Sequence, residues 1–358
     1  MQTKSEHIGQ IDALRGIAAF GVAFIFHQHF LHGAFRSGPL DGLFGFTWLH
    51  RYGWTLVDLF FVISGFVFSH VYLNAQGLVP GTTARNFAIA RFATLYPLHL
   101  LTLVIVAALY MAGKPANFAD VPDDLFHFVL NIFMLQESGL NNGMSFNIPT
   151  WSVSVEIICY ILFYIAARLG NRIFWLFAAG AVFISVLSTI FGLPSNEHFA
   201  RGICGFFIGC IIWKNRIALS TIGLELLIAF AIFILATGIQ IPHVSYGIFL
   251  SLTAWPALLL AAMKIQLLNS SPFRWLGNLS YSIYLIHAPV YVGLNIFVFS
   301  GDGVPEDQRV MAVVFAVACT LLLSHLSYYY AELPARKWIR SYLDRGQRPQ
   351  GLAVQLNS

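Results

Sequence analysis

The stretch WTLVDLFFVISGFVFSHVYLNA (residues 54–75) contains one carboxylate, Asp58, and neither lysine nor arginine. A helix needs about 20 predominantly apolar residues to cross the hydrocarbon core of a bilayer, and this stretch is long enough. The whole chain of 358 residues has the same character, with 58% hydrophobic residues, 10% charged residues and a mean hydropathy of +0.71. Soluble domains carry about a quarter charged residues. The sequence therefore predicts an all-α integral membrane protein.

Apolar stretches of roughly spanning length recur along the chain and predict about ten transmembrane helices. They cover residues 11–32, 54–75, 93–113, 153–169, 173–192, 199–213, 221–239, 244–263, 280–300 and 310–330. Two connections are long, residues 33–53 and 114–152, and a short helix is expected near 122–136. We predict a single transmembrane domain over residues 1–340 and a short basic tail over 341–358.

Lysine and arginine are distributed unequally between the two sides of the predicted bundle. With the N-terminus inside, the inner connections and the tail hold fifteen of them, and the outer connections hold five. The outer five are Arg36, Arg51, Lys114, Arg201 and Arg309. Because positive charge is retained on the cytoplasmic side, this pattern predicts cytoplasmic termini, and its strength suggests a bacterial inner membrane.

Ionisable side chains lie inside several predicted spans. Those inside or at the edge of a span include Asp12, Arg15, His27, His29, Asp58, Arg91, Glu156, His287 and His325. A single group of this kind is often a helix-end residue that reaches toward water, or a structural hydrogen bond. Embedding a charge is costly, however, so several in one bundle indicate that the protein handles something polar within the membrane.

Helix geometry favours a particular pair in the first span. In a regular α-helix, Arg15 and His29 are about 40° apart around the axis and roughly 21 Å apart along it. Arg15 and His27 are about 120° apart, so His27 joins the same face only if the helix contains a bulge.

Six motifs, in order, resemble the membrane-bound acyltransferase-3 family of O-acyltransferases. They are IDALRGIAAF with FHQHF (11–20 and 26–30), VDLFFVISGFVFS (57–69), RFATLYPLHLLTL (91–103), TWSVSVEIICYILF (150–163), GNLSYSIYLIHAPV (277–290) and YYYAELPARKWI (328–339). Together they cover residues 10 to 340. The chain departs from the family pattern at three points, one of which is Ile157 after Glu156, where the family often has an acidic pair. Eleven residues, rather than ten, separate Arg15 from His27, and Thr94 replaces the second arginine of the third-helix segment.

The resemblance implies transfer of an acyl group, by default acetyl, from cytoplasmic acyl-CoA to a carbohydrate hydroxyl on the outer side of the membrane. Histidine suits removal of the hydroxyl proton, and arginine suits binding of CoA phosphates. The expected roles are catalysis for His27 or His29 with Glu156, donor binding for Arg15 and Arg91, and substrate binding for Asp58, Ser64 and His287. Glu156 either orients the histidine, binds the acceptor or pairs with an embedded arginine, and Ser64 alternatively allows close helix packing.

The resemblance implies acyl-CoA as a donor substrate and no tightly bound cofactor. No metal site or nucleic-acid partner is predicted, and the four cysteines read as small apolar residues packed between helices. The alternative function is a proton-coupled transporter or exporter, because embedded His, Asp and Glu suit that class as well. Inverted repeats would favour the transporter, and the sequence shows none.

Overall fold

The computed structural model describes residues 8–32, 44–113, 123–140, 144–192, 197–299 and 304–345, and these residues are almost entirely helical. The helices are α1 (Gly9–Phe20), α2 (His29–His32), α3 (Phe44–Tyr52), α4 (Leu56–Tyr72), α5 (Ala84–Ala112), α6 (Leu125–Ile132), α7 (Trp151–Arg168), α8 (Asn171–Ile190), α9 (Glu197–Leu219), α10 (Leu224–Thr237), α11 (Tyr246–Leu252), α12 (Ala254–Lys264), α13 (Ser271–Phe297), α14 (Arg309–Ser327) and α15 (Leu333–Arg345). Two π-helical segments, Gly21–Phe26 and Tyr328–Glu332, follow α1 and α14. Among these residues the strands are β1 (Leu73–Asn74) and β2 (Gly77–Leu78), which pair antiparallel.

Among the described residues, seven helical segments are long and apolar enough to cross a membrane, and the number becomes eight if α11 and α12, bent by 42°, form one span. The chain is therefore an all-α integral membrane protein. Every predicted span contains a helix. Two of these helices are not among the seven: α10 has only 14 residues, and α13 is a continuous helix that carries many polar side chains. The start of α13 was predicted too late, since the helix begins at Ser271 rather than near residue 280.

Glycines allow the two central helices, α4 and α9, to cross with their backbones in contact. A Cβ atom on Gly65 would lie 1.8 Å from the carbonyl oxygen of Phe206, and one on Gly209 would lie 2.0 Å from that of Val62. Small residues permit this approach in membrane bundles, where dispersion contacts replace the hydrophobic effect between helices. The packing role that the sequence suggested for Ser64 thus belongs to its neighbour Gly65.

A second close crossing joins α1 to α13. A Cβ atom on Gly16 would lie 2.7 Å from the backbone nitrogen of Gly277, and one on Gly277 would lie 2.5 Å from the carbonyl oxygen of Asp12. This contact places the polar residues of the first span directly beside those of α13. It therefore determines which side chains meet in the candidate site.

The two long connections contain short helices. The helix expected near 122–136 is confirmed as α6, whose first turn is capped by the Asp124 side chain accepting from the His127 backbone N–H at 2.9 Å. Residues 44–52 form α3, which was not predicted. Residues 1–7, 33–43, 114–122 and 346–358, and with them the basic positions Lys4, Arg36, Lys114 and Arg348, lie outside the described residues.

Candidate active site

Two histidines from the first span and α13 form a hydrogen-bonded pair. His27 Nδ1 lies 2.9 Å from His287 Nε2, and both side chains are buried. His287 Nδ1 lies 3.1 Å from the carbonyl oxygen of Ile283, which only accepts, so His287 carries its proton on Nδ1. His287 Nε2 then accepts from His27 Nδ1, which leaves His27 Nε2 as the unprotonated nitrogen of a neutral ring. That nitrogen is suited to removing a proton from a hydroxyl group.

The π-helical segment Gly21–Phe26 brings His27 to this position. The His27 backbone N–H donates to the carbonyl of Val22 at 2.9 Å, five residues earlier, which is the π-helical pattern. When one residue is absorbed in this way, the separation of Arg15 and His27 around the axis falls from about 120° to about 20°. The bulge that His27 needs to join the face of Arg15 is therefore present, and it accommodates the one additional residue between Arg15 and His27.

The same segment moves His29 away from the face that it was predicted to share with Arg15. Regular α-helical geometry does not continue from Arg15 to His29, because the π-helical turn adds a residue and α2 begins only at His29. His29 Nδ1 lies 2.8 Å from the carbonyl oxygen of Phe26, and its ring centroid is 5.8 Å from that of His27. The two histidines are neighbours, and His27 is the one paired with His287.

A cavity of about 440 Å³ opens among α1, α4, α5, α7, α13 and α15, near the end of the bundle where α1 begins. Its charged lining consists of Asp12, Arg15, Arg91, Glu156, Glu332 and Arg336. Tyr284 also lines the cavity, and its ring centroid is 6.1 Å from that of His287. The charged cavity therefore extends to the residue that neighbours the histidine pair.

Both arginines that were predicted to bind the donor line this cavity. Arg15 donates to Ser280 Oγ at 2.8 Å and lies 3.3 Å from a carboxylate oxygen of Asp12. Arg91 donates to the Tyr72 hydroxyl at 3.1 Å, and its guanidinium carbon is 4.8 Å from the centroid of the Phe68 ring. Two guanidinium groups held by side chains of neighbouring helices form a surface that suits phosphate groups.

Glu156 and Ser64 also line the cavity and contact each other. Ser64 Oγ donates to Glu156 Oε1 at 2.7 Å, and the Tyr160 hydroxyl donates to the same oxygen. The polar partners of Glu156 are thus hydroxyl groups of α4 and α7. Glu156 therefore lies in the lining of the cavity, held by two helices.

Asp58 does not line the cavity but forms a buried ion pair with Arg201. Both contacts of the carboxylate with the guanidinium are 3.0 Å, and the Arg201 guanidinium carbon is 4.3 Å from the Trp54 ring centroid. The assignment of Arg201 to an outer connection is wrong, because this residue lies inside α9 and is 4% exposed. An arginine can remain in an apolar helix when a carboxylate and an aromatic ring replace its water.

Two charged residues of the cavity were neither named among the ionisable groups of the spans nor given a role. Glu332 and Arg336 belong to the terminal motif, YYYAELPARKWI, but the motif alone does not say what they contact. The π-helical segment Tyr328–Glu332 connects α14 to α15 and directs Glu332 toward α13, where it accepts from the Ser282 hydroxyl. Their spacing of one helical turn, directly after the apolar stretch 310–330, is the signal that would have marked them.

Comparisons with known proteins agree on one family. The model of a family described as an acyltransferase domain matches residues 8–329. A putative peptidoglycan O-acetyltransferase of Bacillus subtilis, YrhL, is 29% identical over 94% of this chain and 56% of its own length. The peptidoglycan O-acetyltransferase OatA of Listeria monocytogenes is 22% identical over 93% of this chain and 56% of its own. Protein 2 in the picA locus of Rhizobium radiobacter is 33% identical over 48% of this chain and 86% of its own.

The chain spans just over half the length of YrhL and of the Listeria OatA. No solved structure matches it.

Proposed function

This chain belongs to the acyltransferase family, and we propose that it is a membrane O-acyltransferase that transfers an acyl group from acyl-CoA to a carbohydrate hydroxyl. The observation that carries the proposal is the His27–His287 pair beside a cavity lined by Arg15 and Arg91. The names of the relatives supply the acceptor class, a cell-wall glycan, and acetyl is the default acyl group.

In this proposal His27 is the general base. His27 Nε2 takes the proton of the acceptor hydroxyl while the hydroxyl oxygen attacks the thioester carbonyl of the donor. The new C–O bond forms as the C–S bond breaks, and the proton on His27 passes to the departing CoA thiolate. His287 holds the ring of His27 in the tautomer that leaves Nε2 unprotonated.

The donor enters from the end of the bundle that holds the arginines. Arg15 and His27 are roughly 18 Å apart along the first span, so phosphates held by Arg15 and Arg91 would leave the pantetheine arm to reach the histidine pair. Positive charge would attract the anionic donor into this cavity.

The proposed topology has ten spans, both termini in the cytoplasm and a bacterial inner membrane. It rests on the lysine and arginine distribution, in which removing the buried Arg201 from the outer five leaves four outer charges against fifteen inner ones. The cavity containing Arg15 then opens to the cytoplasm, and His27 lies in the outer half of the first span. A base in that position meets an acceptor on the far side of the membrane from the donor.

The test compares His27→Ala with His29→Ala in purified, detergent-solubilised protein. We expect His27→Ala to reduce acetyl transfer to glycan fragments, measured by mass spectrometry, by about 10²- to 10⁴-fold, because general-base catalysis contributes that much. His29→Ala, a neighbouring histidine without the His287 contact, should lose far less. Acetyl-CoA binding should remain in both variants.

Full transfer activity in a folded His27→Ala protein would refute the role of His27. Absence of CoA binding in the folded wild type would refute the acyltransferase proposal and would favour the transporter alternative.

A further inference from the structure

A third arginine, Arg336, lines the same cavity as Arg15 and Arg91. It lies in the first turn of α15, and the π-helical segment before it joins α14 to α15 as one continuous helical stretch, Glu306–Ile339. Arg336 therefore approaches the cavity from a different helix than either of the other two arginines. It is neither fully buried nor fully exposed, so a ligand entering from the aqueous end can reach it.

The carboxylates of the cavity already have hydroxyl or guanidinium partners. Glu332, one turn before Arg336, accepts from the Ser282 hydroxyl and from Ser327 Oγ at 3.4 Å. Asp12 pairs with Arg15 at 3.3 Å. Glu332 also lies four residues before Arg336, a spacing at which a carboxylate and a cation on one helix attract each other, and both residues line the cavity.

We propose that Arg336 is a phosphate-binding residue of the donor site, acting with Arg15 and Arg91 on the nucleotide part of a CoA-type donor. The inference rests on the proposed function and extends it to a residue on the terminal helix. A guanidinium group binds a phosphate through paired, charge-assisted hydrogen bonds, and three such groups from three helices suit a ligand that carries several phosphates.

The adjacent residue supplies a matched control. Lys337 is exposed, carries the same charge and is not among the cavity-lining residues. Lys337→Gln and Arg336→Gln therefore remove the same charge from the same helix turn. Only Arg336→Gln removes a group from the cavity.

The experiment measures CoA binding by calorimetry with the full chain in nanodiscs of neutral phosphatidylcholine. We expect Arg336→Gln to weaken CoA binding about tenfold, Arg336→Lys to weaken it less, and Lys337→Gln to leave it unchanged. In acetyl transfer, Arg336→Gln should raise the KM for acetyl-CoA about tenfold with an unchanged kcat, the pattern of a lost binding contact. The affinity of the wild type should also fall more steeply with salt than that of Arg336→Gln.

A relocated charge separates electrostatics from packing. Thr94 lines the cavity three residues after Arg91, and its hydroxyl donates to the Ala90 carbonyl of its own helix at 2.8 Å. Arginine at this position would restore a cation to the cavity from α5. We expect Thr94→Arg to recover much of the CoA affinity lost in Arg336→Gln.

The outcomes distinguish this inference from the proposed function. If the wild type binds CoA and Arg336→Gln binds it equally well, the inference is overturned and the acyltransferase proposal stands. A lowered kcat together with a lowered unfolding temperature in Arg336→Gln would show a structural role and would also overturn it. A folded wild type that binds no CoA overturns both.

Discussion

Removing the charge of Asp58 should destabilise the protein strongly, because it leaves a buried guanidinium without its counter-charge. Asp58 is fully buried, Arg201 is 4% exposed, and two contacts of 3.0 Å join them. Breaking a buried pair by a change such as Asp58→Asn costs about 3–5 kcal/mol. The Trp54 ring, whose centroid is 4.3 Å from the Arg201 guanidinium carbon, remains in the variant and still stabilises the cation, which limits the loss of stability.

The assay is reversible unfolding in mixed SDS and dodecyl maltoside micelles, followed by tryptophan fluorescence. A loss of about 3–5 kcal/mol lowers the ratio of folded to unfolded protein by roughly two to four orders of magnitude. The matched control is Glu306→Gln. Its carboxylate is 89% exposed and lies 3.8 Å from Arg309, so an effect of at most about 1 kcal/mol is expected.

A double variant tests the cause of the destabilisation. Asp58→Leu with Arg201→Met removes both charges, and we expect it to be more stable than either single variant, because no uncompensated charge remains buried. A loss of stability below about 1 kcal/mol in Asp58→Asn would refute the reasoning, since that is the contribution of a solvent-exposed ion pair.

Two further predictions concern the bundle and its capping. Gly209→Ala should destabilise the fold by about 1–3 kcal/mol in the same unfolding assay, because its Cβ would lie 2.0 Å from the Val62 carbonyl oxygen. The control is Gly180→Ala, whose Cβ would have nothing within 4 Å and which should be neutral or slightly stabilising. Hydrogen bonds from the backbone and the side chain of His127 hold the pKa of Asp124 below its ordinary value. The contribution of the cap is therefore fully present above that ordinary value and is lost as the pH falls through the lowered pKa. Hydrogen exchange of α6 should show this acid-dependent loss of protection in the wild type and not in Asp124→Asn, and equal acid sensitivity in both would contradict the assignment.

The helices could be predicted from the sequence because the bilayer restricts the choice of structure. Every backbone polar group inside a membrane must be satisfied internally, so an apolar stretch of spanning length forms a helix. Hydropathy is a weaker guide where helices carry polar residues. The ninth span was predicted over residues 280–300, where the apolar run is continuous, although α13 already begins at Ser271.

The pairing of charges could not be read from the sequence. Asp58 and Arg201 are 143 residues apart, and nothing local to either residue names the other. Counting Arg201 with the outer connections followed from the rule that basic residues lie outside the membrane, which fails when a carboxylate on another helix neutralises the charge. The contact depends on the close crossing of α4 and α9 that Gly65 and Gly209 allow.

Which of His27 and His29 shares the helix face of Arg15 depends on a single additional residue in the helix between Arg15 and the histidines. Both histidines suit proton transfer, and regular geometry favoured His29 on the face of Arg15. The π-helical segment Gly21–Phe26 reverses that preference by one inserted residue. Residue composition gives little warning of such a segment, and the eleven-residue interval between Arg15 and His27 was the only sign of it in the sequence.

Both π-helical segments bring residues into contact with helix α13. Its polar side chains bond to residues of the first span and of the terminal segment, with Ser280 accepting from Arg15, Ser282 donating to Glu332 and His287 accepting from His27. π-helical turns are rare, and each of the two π-helical segments here ends at or beside a residue that bonds to α13. The irregular turns therefore fit the first span and the terminal segment to one polar helix. The alignment of His27 with the charged cavity follows from that fit, because Arg15 and His27 each bond to a side chain of α13.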